Sequence, residues 1–104
     1  MKAQMFNWRG WVAETDARKL KEHYFNALLE SGFKVIGEVE HYFEPQGYTV
    51  LFLLAESHFA IHTFPECQRT YLELSSCVER QFRKFVANYT GKENEERPEQ
   101  EQDS

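Results

Sequence analysis

The chain has 104 residues with nine Phe, five Tyr and two Trp, and its formal net charge is −5. This length suits one domain whose hydrophobic core can be stable without disulfide bonds or bound metals. Residues 1–90 carry eleven acids and ten bases, so they lack the clustered Lys and Arg of a nucleic-acid surface. Residues 91–104 carry six acids, two bases and no aromatic or aliphatic side chain to bury. We therefore predict one domain over residues 1–90, followed by a disordered acidic tail.

The cysteine count and the N-terminal sequence bear on the compartment. Cys67 and Cys77 are too few for a disulfide framework. The first ten residues contain no apolar signal segment, and no run of the chain approaches membrane-spanning length. We therefore expect a cytoplasmic protein with no membrane partner.

The first part of the chain predicts a strand, a helix and a second strand. MFNWRGWVA (5–13) is rich in aromatic and β-branched residues, as strands are. Thr15 or Asp16 can cap a helix whose apolar residues recur at helical spacing, and Gly32 ends it. FKVIGEVEHYF (33–43) predicts the second strand, and the turn EPQG follows it.

The third predicted strand, YTVLFLLA (48–55), is apolar on both faces. Strand alternation places Leu51, Leu53 and Ala55 on one face and the other apolar residues on the opposite face. A strand buried on both sides needs helices over one face and an apolar layer over the other. We therefore expect a second protomer to cover the face that the helices leave open, giving a homodimer.

The remaining pattern completes an α+β domain. Two more strands and a final helix are predicted, with the sequences HFAIHTF (58–64), YLELSSC (71–77) and ERQFRKFVANY (79–89). The expected fold is a mostly antiparallel sheet with two helices on one face.

A Ser, a His and a Cys near one bend form a candidate reactive cluster. Strand alternation points His62 and Cys77 away from the aliphatic core, and Ser57 stands at the bend. Ordinary packing or a surface turn is the competing interpretation. A serine-protease site lacks the G-x-S-x-G elbow. A metal site from His41, His58, His62 and Cys77 would match no standard ligand spacing, so no metal is expected.

One segment resembles a known family. AESHFAIHTFPE (55–66) is similar to the processing segment of the bacterial S-adenosylmethionine decarboxylase proenzymes, which typically reads E-S-H, then I-H-T-W-P-E, then T-C-G a strand later. Ser76-Cys77 falls at the spacing of the last motif, and YFEPQG (42–47) resembles the family's F-S-P-Q-G turn. The likeness runs over about residues 5–89 and implies one half of the family's α/β sandwich.

The resemblance implies self-cleavage and a pyruvoyl cofactor. The hydroxyl of Ser57 would attack the carbonyl of Glu56, and β-elimination from the resulting ester would turn Ser57 into the pyruvoyl group. By family analogy, His62 and a hydroxyl on the preceding strand promote this step. Thr49 stands where the family usually has serine, so the hydroxyl is kept.

The resemblance also implies a substrate, S-adenosylmethionine, which would form a Schiff base with the pyruvoyl group and lose carbon dioxide. The product would be the aminopropyl donor for spermidine synthesis. Cys77 matches the family's acid, which returns a proton to the substrate carbon. Phe43 and Phe64 match the aromatics that sandwich adenine, and Glu66 matches the carboxylate that holds the ribose. The active site is expected near the interface of a homodimer.

The sequence departs from the family pattern in three places. Val78 replaces the glycine after Cys77, CQRTYLEL (67–74) replaces a segment usually rich in Tyr, Gly and Ala, and the family's final strand after the second helix is not apparent. These departures leave two alternatives open. One is a non-catalytic family member acting as a binding or regulatory subunit, and the other is a pyruvoyl-dependent arginine or ornithine decarboxylase.

Overall fold

The structure, a computed structural model, describes residues 4–89 and 99–101. The predicted order of strands and helices is confirmed, with boundaries that shift by one or two residues. The elements are β1 (Met5–Val12), α1 (Ala17–Glu30), β2 (Val35–Tyr42), β3 (Tyr48–Leu54), β4 (Ser57–Phe64), a 3₁₀ helix (Pro65–Cys67), β5 (Arg69–Ser76), α2 (Glu79–Tyr89) and β6 (Glu99–Glu101).

One sheet organises the described residues. Its strand order is β2-β3-β4-β5-β1-β6, and every pairing among the described strands is antiparallel. Three consecutive hairpins connect β2 to β5, which is the connection expected for antiparallel neighbours. The predicted α+β class is therefore confirmed, and β4, which carries the candidate residues Ser57, His62 and Phe64, lies near the centre of the sheet.

Both helices pack on the same face of the sheet, as predicted. Tyr24 of α1 stacks on Phe59 of β4 at 5.4 Å between ring centroids, and Phe85 of α2 packs on Trp8 of β1 at 6.0 Å. These rings are almost fully buried. The apolar stripe of each helix supplies this contact, because residues three and four apart share one side of a helix.

Helix α1 has both of the ends that its sequence predicts. The Asp16 carboxylate accepts the backbone N–H of Lys19 at 2.9 Å and caps the first turn. At the other end Gly32 adopts φ +97°, and the N–H groups of Gly32 and Phe33 donate to the carbonyls of Leu29 and Leu28. This is a Schellman ending, which requires a left-handed residue after the cap. Because this ending uses Phe33, β2 begins later than predicted.

The second face of the sheet carries no helix among the described residues, and we call it the open face. On β3, Leu51 is 41% exposed and Leu53 is 53% exposed, whereas their neighbours Phe52 and Leu54 are buried. On β2, Val39 pairs with Leu51 and is 71% exposed. The predicted apolar character of both faces of β3 is therefore present, and one face remains uncovered in the single chain.

The predicted acidic tail lies largely outside the described residues. Residues 90–98 and 102–104 are not described, and Glu99–Glu101 forms β6 at the edge of the sheet beside β1. A final edge strand after α2 is therefore present over three residues, although no strand pattern marks it in the sequence. Disorder in the rest of the tail stays a prediction.

Candidate functional site

The turn between β3 and β4 holds the backbone in a strained conformation. Leu54 pairs with Ser57, so the connection consists of Ala55 and Glu56 alone. Glu56 has φ +65°, in the left-handed region. This conformation costs a residue with a side chain roughly 1–2 kcal/mol, and turns of this kind usually place glycine or asparagine there. The strained residue is the one that precedes the predicted cleavage point.

The carbonyl oxygen of Glu56 lies between two donors from one residue. The backbone N–H of Cys77 donates to it at 3.3 Å, and the Cys77 thiol donates to it at 3.2 Å. Two donors aimed at one carbonyl oxygen are the arrangement that stabilises the oxyanion formed when a nucleophile attacks the carbonyl carbon. The sequence of the bend contains no recognisable oxyanion loop. The reason is that both donors belong to Cys77, which follows β5 and lies 21 residues after Glu56.

The hydroxyl of the residue that follows this carbonyl, Ser57, is buried. Ser57 is 8% exposed, and its Oγ donates to Oγ of Ser76 at 2.6 Å. Ser76 is fully buried at the last position of β5, directly opposite Ser57. Ser76 is not among the site residues predicted from the sequence. The sequence signal that could have identified Ser76 is its position directly before Cys77, where the family motif has threonine.

The glycine lost after Cys77 does not displace the thiol. Val78 is absent from the described residues with positive φ, so the chain turns here in a conformation open to any residue. The N–H of Val78 donates to the Ser76 hydroxyl at 2.9 Å. The turn into α2 therefore keeps Cys77 on the Glu56 carbonyl.

Thr49 and His62 form a second, separate pair. They face each other across β3 and β4, and Oγ1 of Thr49 lies 3.0 Å from Nδ1 of His62. The His62 ring also stacks on Tyr71 of β5 at 6.1 Å. His62 follows Ser57 by five residues on one strand, which separates them by about 17 Å and places them on opposite faces. The expected single cluster of Ser57, His62 and Cys77 is therefore not formed within one chain.

The two aromatic candidates for adenine lie at the His62 end of the open face. Phe43 follows β2 in the turn to β3, is 49% exposed, and contacts the His41 ring at 4.5 Å. Phe64 ends β4, is 40% exposed, and contacts Trp11 at 6.0 Å. Glu66 is exposed in the following 3₁₀ helix. Both rings are half-exposed, and they adjoin strands that flank β3, so each offers a face on which a flat base could stack.

A network of charged and polar side chains joins helix α1 to strands β2 and β3. Lys21 donates to Glu38 at 2.6 Å and to Glu40 at 3.2 Å, and Tyr48 donates to Glu40. The pKa of Lys21 is raised, chiefly by its hydrogen bond to Glu38, and the pKa of Glu40 is lowered, chiefly by its hydrogen bond from Tyr48. Burial, followed by the Glu40 hydrogen bond, raises the pKa of Tyr48. None of these groups is a predicted site residue, so the network belongs to the scaffold.

A cleft of about 640 Å³ opens beside the start of α1. Its lining includes Trp11, Lys19, His23, Tyr24 and Arg69. No predicted site residue lines it, although its lining residue Trp11 contacts both Phe64 and Tyr71. Within residues 4–89 and 99–101, no three His, Cys, Asp or Glu side chains come together as metal ligands. None of the described helices is long and apolar enough to cross a membrane.

Comparison with known proteins points to one family. Residues 12–96 match the family model described as S-adenosylmethionine decarboxylase. The S-adenosylmethionine decarboxylase proenzyme of Syntrophomonas wolfei is 38% identical over 65 residues, which cover 62% of this chain and 52% of that protein. The corresponding proenzyme of Carboxydothermus hydrogenoformans is 30% identical over 84 residues, covering 81% and 66%. The chain thus spans between half and two thirds of the length of these relatives.

The fold has a counterpart among solved structures. The crystal structure of adenosylmethionine decarboxylase from Aquifex aeolicus aligns with a TM-score of 0.63 and 20% sequence identity. The alignment covers 99% of this chain and 91% of that one. At this identity the likeness concerns the fold, and it extends over almost the whole of both chains.

Proposed function

The chain belongs to the S-adenosylmethionine decarboxylase family, and from this premise we propose that it is a self-processing, pyruvoyl-dependent S-adenosylmethionine decarboxylase. Its product would serve aminopropyl transfer in spermidine synthesis. The observation that carries the proposal is the Glu56 carbonyl, which accepts two hydrogen bonds from Cys77 and is followed by Ser57, whose buried hydroxyl donates to Ser76. A nucleophile, a carbonyl and oxyanion donors are the parts that acyl transfer requires.

The proposed cleavage uses the backbone as substrate. Oγ of Ser57 attacks the Glu56 carbonyl carbon, the C–N bond breaks, and the hydroxyl proton ends on the released amine nitrogen. Cys77 stabilises the intermediate oxyanion. Loss of the Ser57 α-proton then breaks the Cβ–Oγ bond, so Glu56 leaves as the carboxylate end of a fragment of residues 1–56. Hydrolysis of the remaining enamine releases ammonia and leaves the pyruvoyl group at position 57.

Backbone strain supports cleavage at this bond. Glu56 alone among the turn residues has positive φ. The strain is present in the intact chain and is released when the C–N bond breaks, because the new chain end is free to leave the left-handed region. Release of about 1–2 kcal/mol of strain therefore favours cleavage after Glu56 over cleavage at an unstrained bond.

A second copy of the chain would supply His62 to this bond. Within one chain His62 lies about 17 Å from Ser57 and faces the other side of the sheet. His62 and Thr49 are hydrogen-bonded to each other within one chain. The Glu56–Ser57 bond of the same chain is too far away for this pair to act on it. In a two-fold dimer each chain's pair would meet the partner's Glu56–Ser57 bond, since an isologous interface repeats each contact twice.

The open face is the surface for that dimer. It carries the exposed apolar residues Val39, Leu51 and Leu53, together with Phe43 and Phe64. An apolar sheet face of this kind ordinarily lies against another layer. Packing two open faces together would cover these residues and bring the opposite ends of the two sheets, one with Ser57 and one with His62, into one site.

The candidate substrate contacts lie on the His62 side of such a site. Phe43 and Phe64 would stack on adenine, and the Glu66 carboxylate would hold the ribose hydroxyls. A pyruvoyl group at position 57 would lie near the Ser76 hydroxyl and Cys77, and the Cys77 thiol could donate a hydrogen bond to it. When present, this group supplies a ketone that serves as electron sink for decarboxylation. Cys77 would then return a proton to the substrate carbon.

Intact mass spectrometry tests the proposal. Freshly purified protein is incubated, denatured and weighed alongside the Ser57→Ala variant. We expect two fragments that meet between Glu56 and Ser57 in the unaltered chain, and one full-length chain in the variant. A full-length mass that persists in the unaltered chain would instead support the non-catalytic alternative. Release of carbon dioxide from carboxyl-labelled S-adenosylmethionine, arginine and ornithine then identifies the substrate.

A further inference from the structure

The hydroxyl of Ser76 is hydrogen-bonded to the Ser57 nucleophile. It is fully buried, at the last position of β5, and lies 2.6 Å from Oγ of Ser57. Burying a hydroxyl is unfavourable unless it is hydrogen-bonded, and an alanine would satisfy packing at this position without that cost. The next residue, Cys77, holds the Glu56 carbonyl. Two consecutive residues therefore hold the two groups that must react.

The other contacts of Ser76 determine the direction of its bond with Ser57. The N–H of Val78 donates to Oγ of Ser76 at 2.9 Å, and the Ser76 hydroxyl lies 3.4 Å from the Val78 carbonyl, to which it donates. The Ser76 hydroxyl thus directs its proton to the Val78 carbonyl and one lone pair to the Val78 N–H. Its second lone pair can accept a hydrogen bond from Ser57. In keeping with this, Ser57 is the donor in its bond with Ser76. Its proton is turned toward Ser76, and its own lone pairs stay free for the carbonyl carbon of Glu56.

We propose that Ser76 is a positioning residue for self-cleavage, an inference that rests on the proposed function. By accepting the Ser57 hydrogen bond, Ser76 fixes the rotamer of the nucleophile and polarises its O–H bond. It forms no covalent bond and keeps no proton. The new bond joins Oγ of Ser57 to the Glu56 carbonyl carbon, the Glu56–Ser57 C–N bond breaks, and the hydroxyl proton ends on the released nitrogen.

The test is a time course of cleavage by intact mass for the unaltered chain and for Ser76→Ala, Ser76→Thr and Ser75→Ala. Ser75→Ala is the matched control, because Ser75 is the adjacent buried serine and its hydroxyl bonds to Asn7 instead. We expect Ser76→Ala to slow cleavage about tenfold or more, from the loss of a buried hydrogen bond. Ser76→Thr keeps the hydroxyl and should stay within about threefold of the unaltered rate, as should Ser75→Ala.

A second readout separates positioning from structural support. Each sample is also quenched into hydroxylamine, which cleaves esters but not peptide bonds. If Ser76 positions the attack, Ser76→Ala accumulates no hydroxylamine-sensitive ester. An ester that accumulates in Ser76→Ala would place the role of Ser76 after the attack and overturn the inference. Should Ser76→Ala fail to fold, Ser76→Cys keeps the size with a weaker acceptor and should still cleave more slowly than Ser76→Thr.

The failure of this inference is distinct from the failure of the proposed function. If the unaltered chain cleaves and Ser76→Ala cleaves at the same rate or faster, Ser76 has no positioning role, and the self-processing enzyme stands. If the unaltered chain never cleaves, both are overturned.

Discussion

Ser57 and His62 lie on the same strand but on opposite faces of the sheet. Ser57 shares the helix-covered face with Phe59 and Ile61, whereas His62 points to the open face and pairs with Thr49. Five residues of extended strand separate them by about 17 Å. We therefore propose that a reaction using both residues takes place between two chains.

This relationship predicts complementation between two inactive variants. Ser57→Ala lacks the nucleophile and His62→Ala lacks the promoting histidine, so neither should cleave alone. In a mixed dimer one site combines Ser57 of the His62→Ala chain with His62 of the other chain. Co-expression in equal amounts should therefore cleave about half of the His62→Ala chains, since random pairing places half of them in mixed dimers. Intact mass distinguishes the two chains.

The control for complementation is co-expression of Ser57→Ala with Cys77→Ala. If Cys77 acts within its own chain, as its contact with Glu56 indicates, the Cys77→Ala chain should be rescued little by a partner. Cleavage of His62→Ala alone at the unaltered rate would contradict the shared site.

A charge on the open face should separate the proposed dimer. Leu51 is 41% exposed in the centre of this face, and Leu51→Asp would bury an unpaired carboxylate in the interface. We expect sedimentation velocity to show a monomer that cleaves slowly. Leu29→Asp is the control, because Leu29 is similarly exposed, at 46%, but belongs to α1 on the other side of the sheet. A dimer that survives Leu51→Asp would argue against this surface.

Relief of the strain at Glu56 should stabilise the chain and slow its cleavage. Asparagine tolerates the left-handed region better than glutamate. In a Ser57→Ala background, Glu56→Asn should therefore raise the free energy of unfolding by up to about 1 kcal/mol, as measured by urea denaturation. With Ser57 present, the same substitution should reduce the cleavage rate.

Gln68→Asn is the matched control for this effect, because Gln68 is the other described non-glycine residue with positive φ, at +57°. It should give a similar gain in stability with no change in cleavage. Equal cleavage rates for Glu56→Asn and the unaltered chain would show that the strain does not assist the reaction.

The Glu40 carboxylate should make part of the stability dependent on pH. Its pKa is lowered in the folded chain by the hydrogen bonds from Tyr48 and Lys21. Such a group stabilises the fold above its unfolded pKa, near 4.5, and loses this contribution as pH falls through the lower folded value. In the Ser57→Ala background, the difference in unfolding free energy between Glu40 and Glu40→Gln should be largest at neutral pH and shrink below pH 4.5. Glu44→Gln, in an exposed turn, is the matched control variant.

The aromatic pair should contribute to substrate affinity. Phe43→Ala and Phe64→Ala each remove a stacking face worth about 0.5–1.5 kcal/mol, so each should weaken S-adenosylmethionine binding about twofold to tenfold. Isothermal titration against the Ser57→Ala chain measures this without turnover. Tyr42→Ala is the control, since Tyr42 neighbours Phe43 but contacts Tyr48 on the other side of β2. Unchanged affinity in both phenylalanine variants would remove adenine stacking from the proposal.

Much of the fold was predictable from local pattern. Helical spacing and the Asp16 and Gly32 ends located α1 to within two residues, because these signals depend on a few neighbouring residues. The two apolar faces of β3 indicated a layer beyond the helices for the same reason. β6 was not predictable, since EQE has no strand pattern of its own and pairs only because β1 offers an edge.

The candidate site divides in the same way. The sequence alone predicted the candidate residues Glu56, Ser57, His62 and Cys77. The proposed chemistry needs a hydroxyl nucleophile, a histidine and a thiol at set spacings, and these can be recognised in the order of the residues. Which of them meet was decided by strand register: pairing of Ser57 with Ser76 brings Cys77 onto the Glu56 carbonyl, while the same register carries His62 away. Hydrogen bonds between distant segments depend on register and direction, and these are properties of the folded sheet.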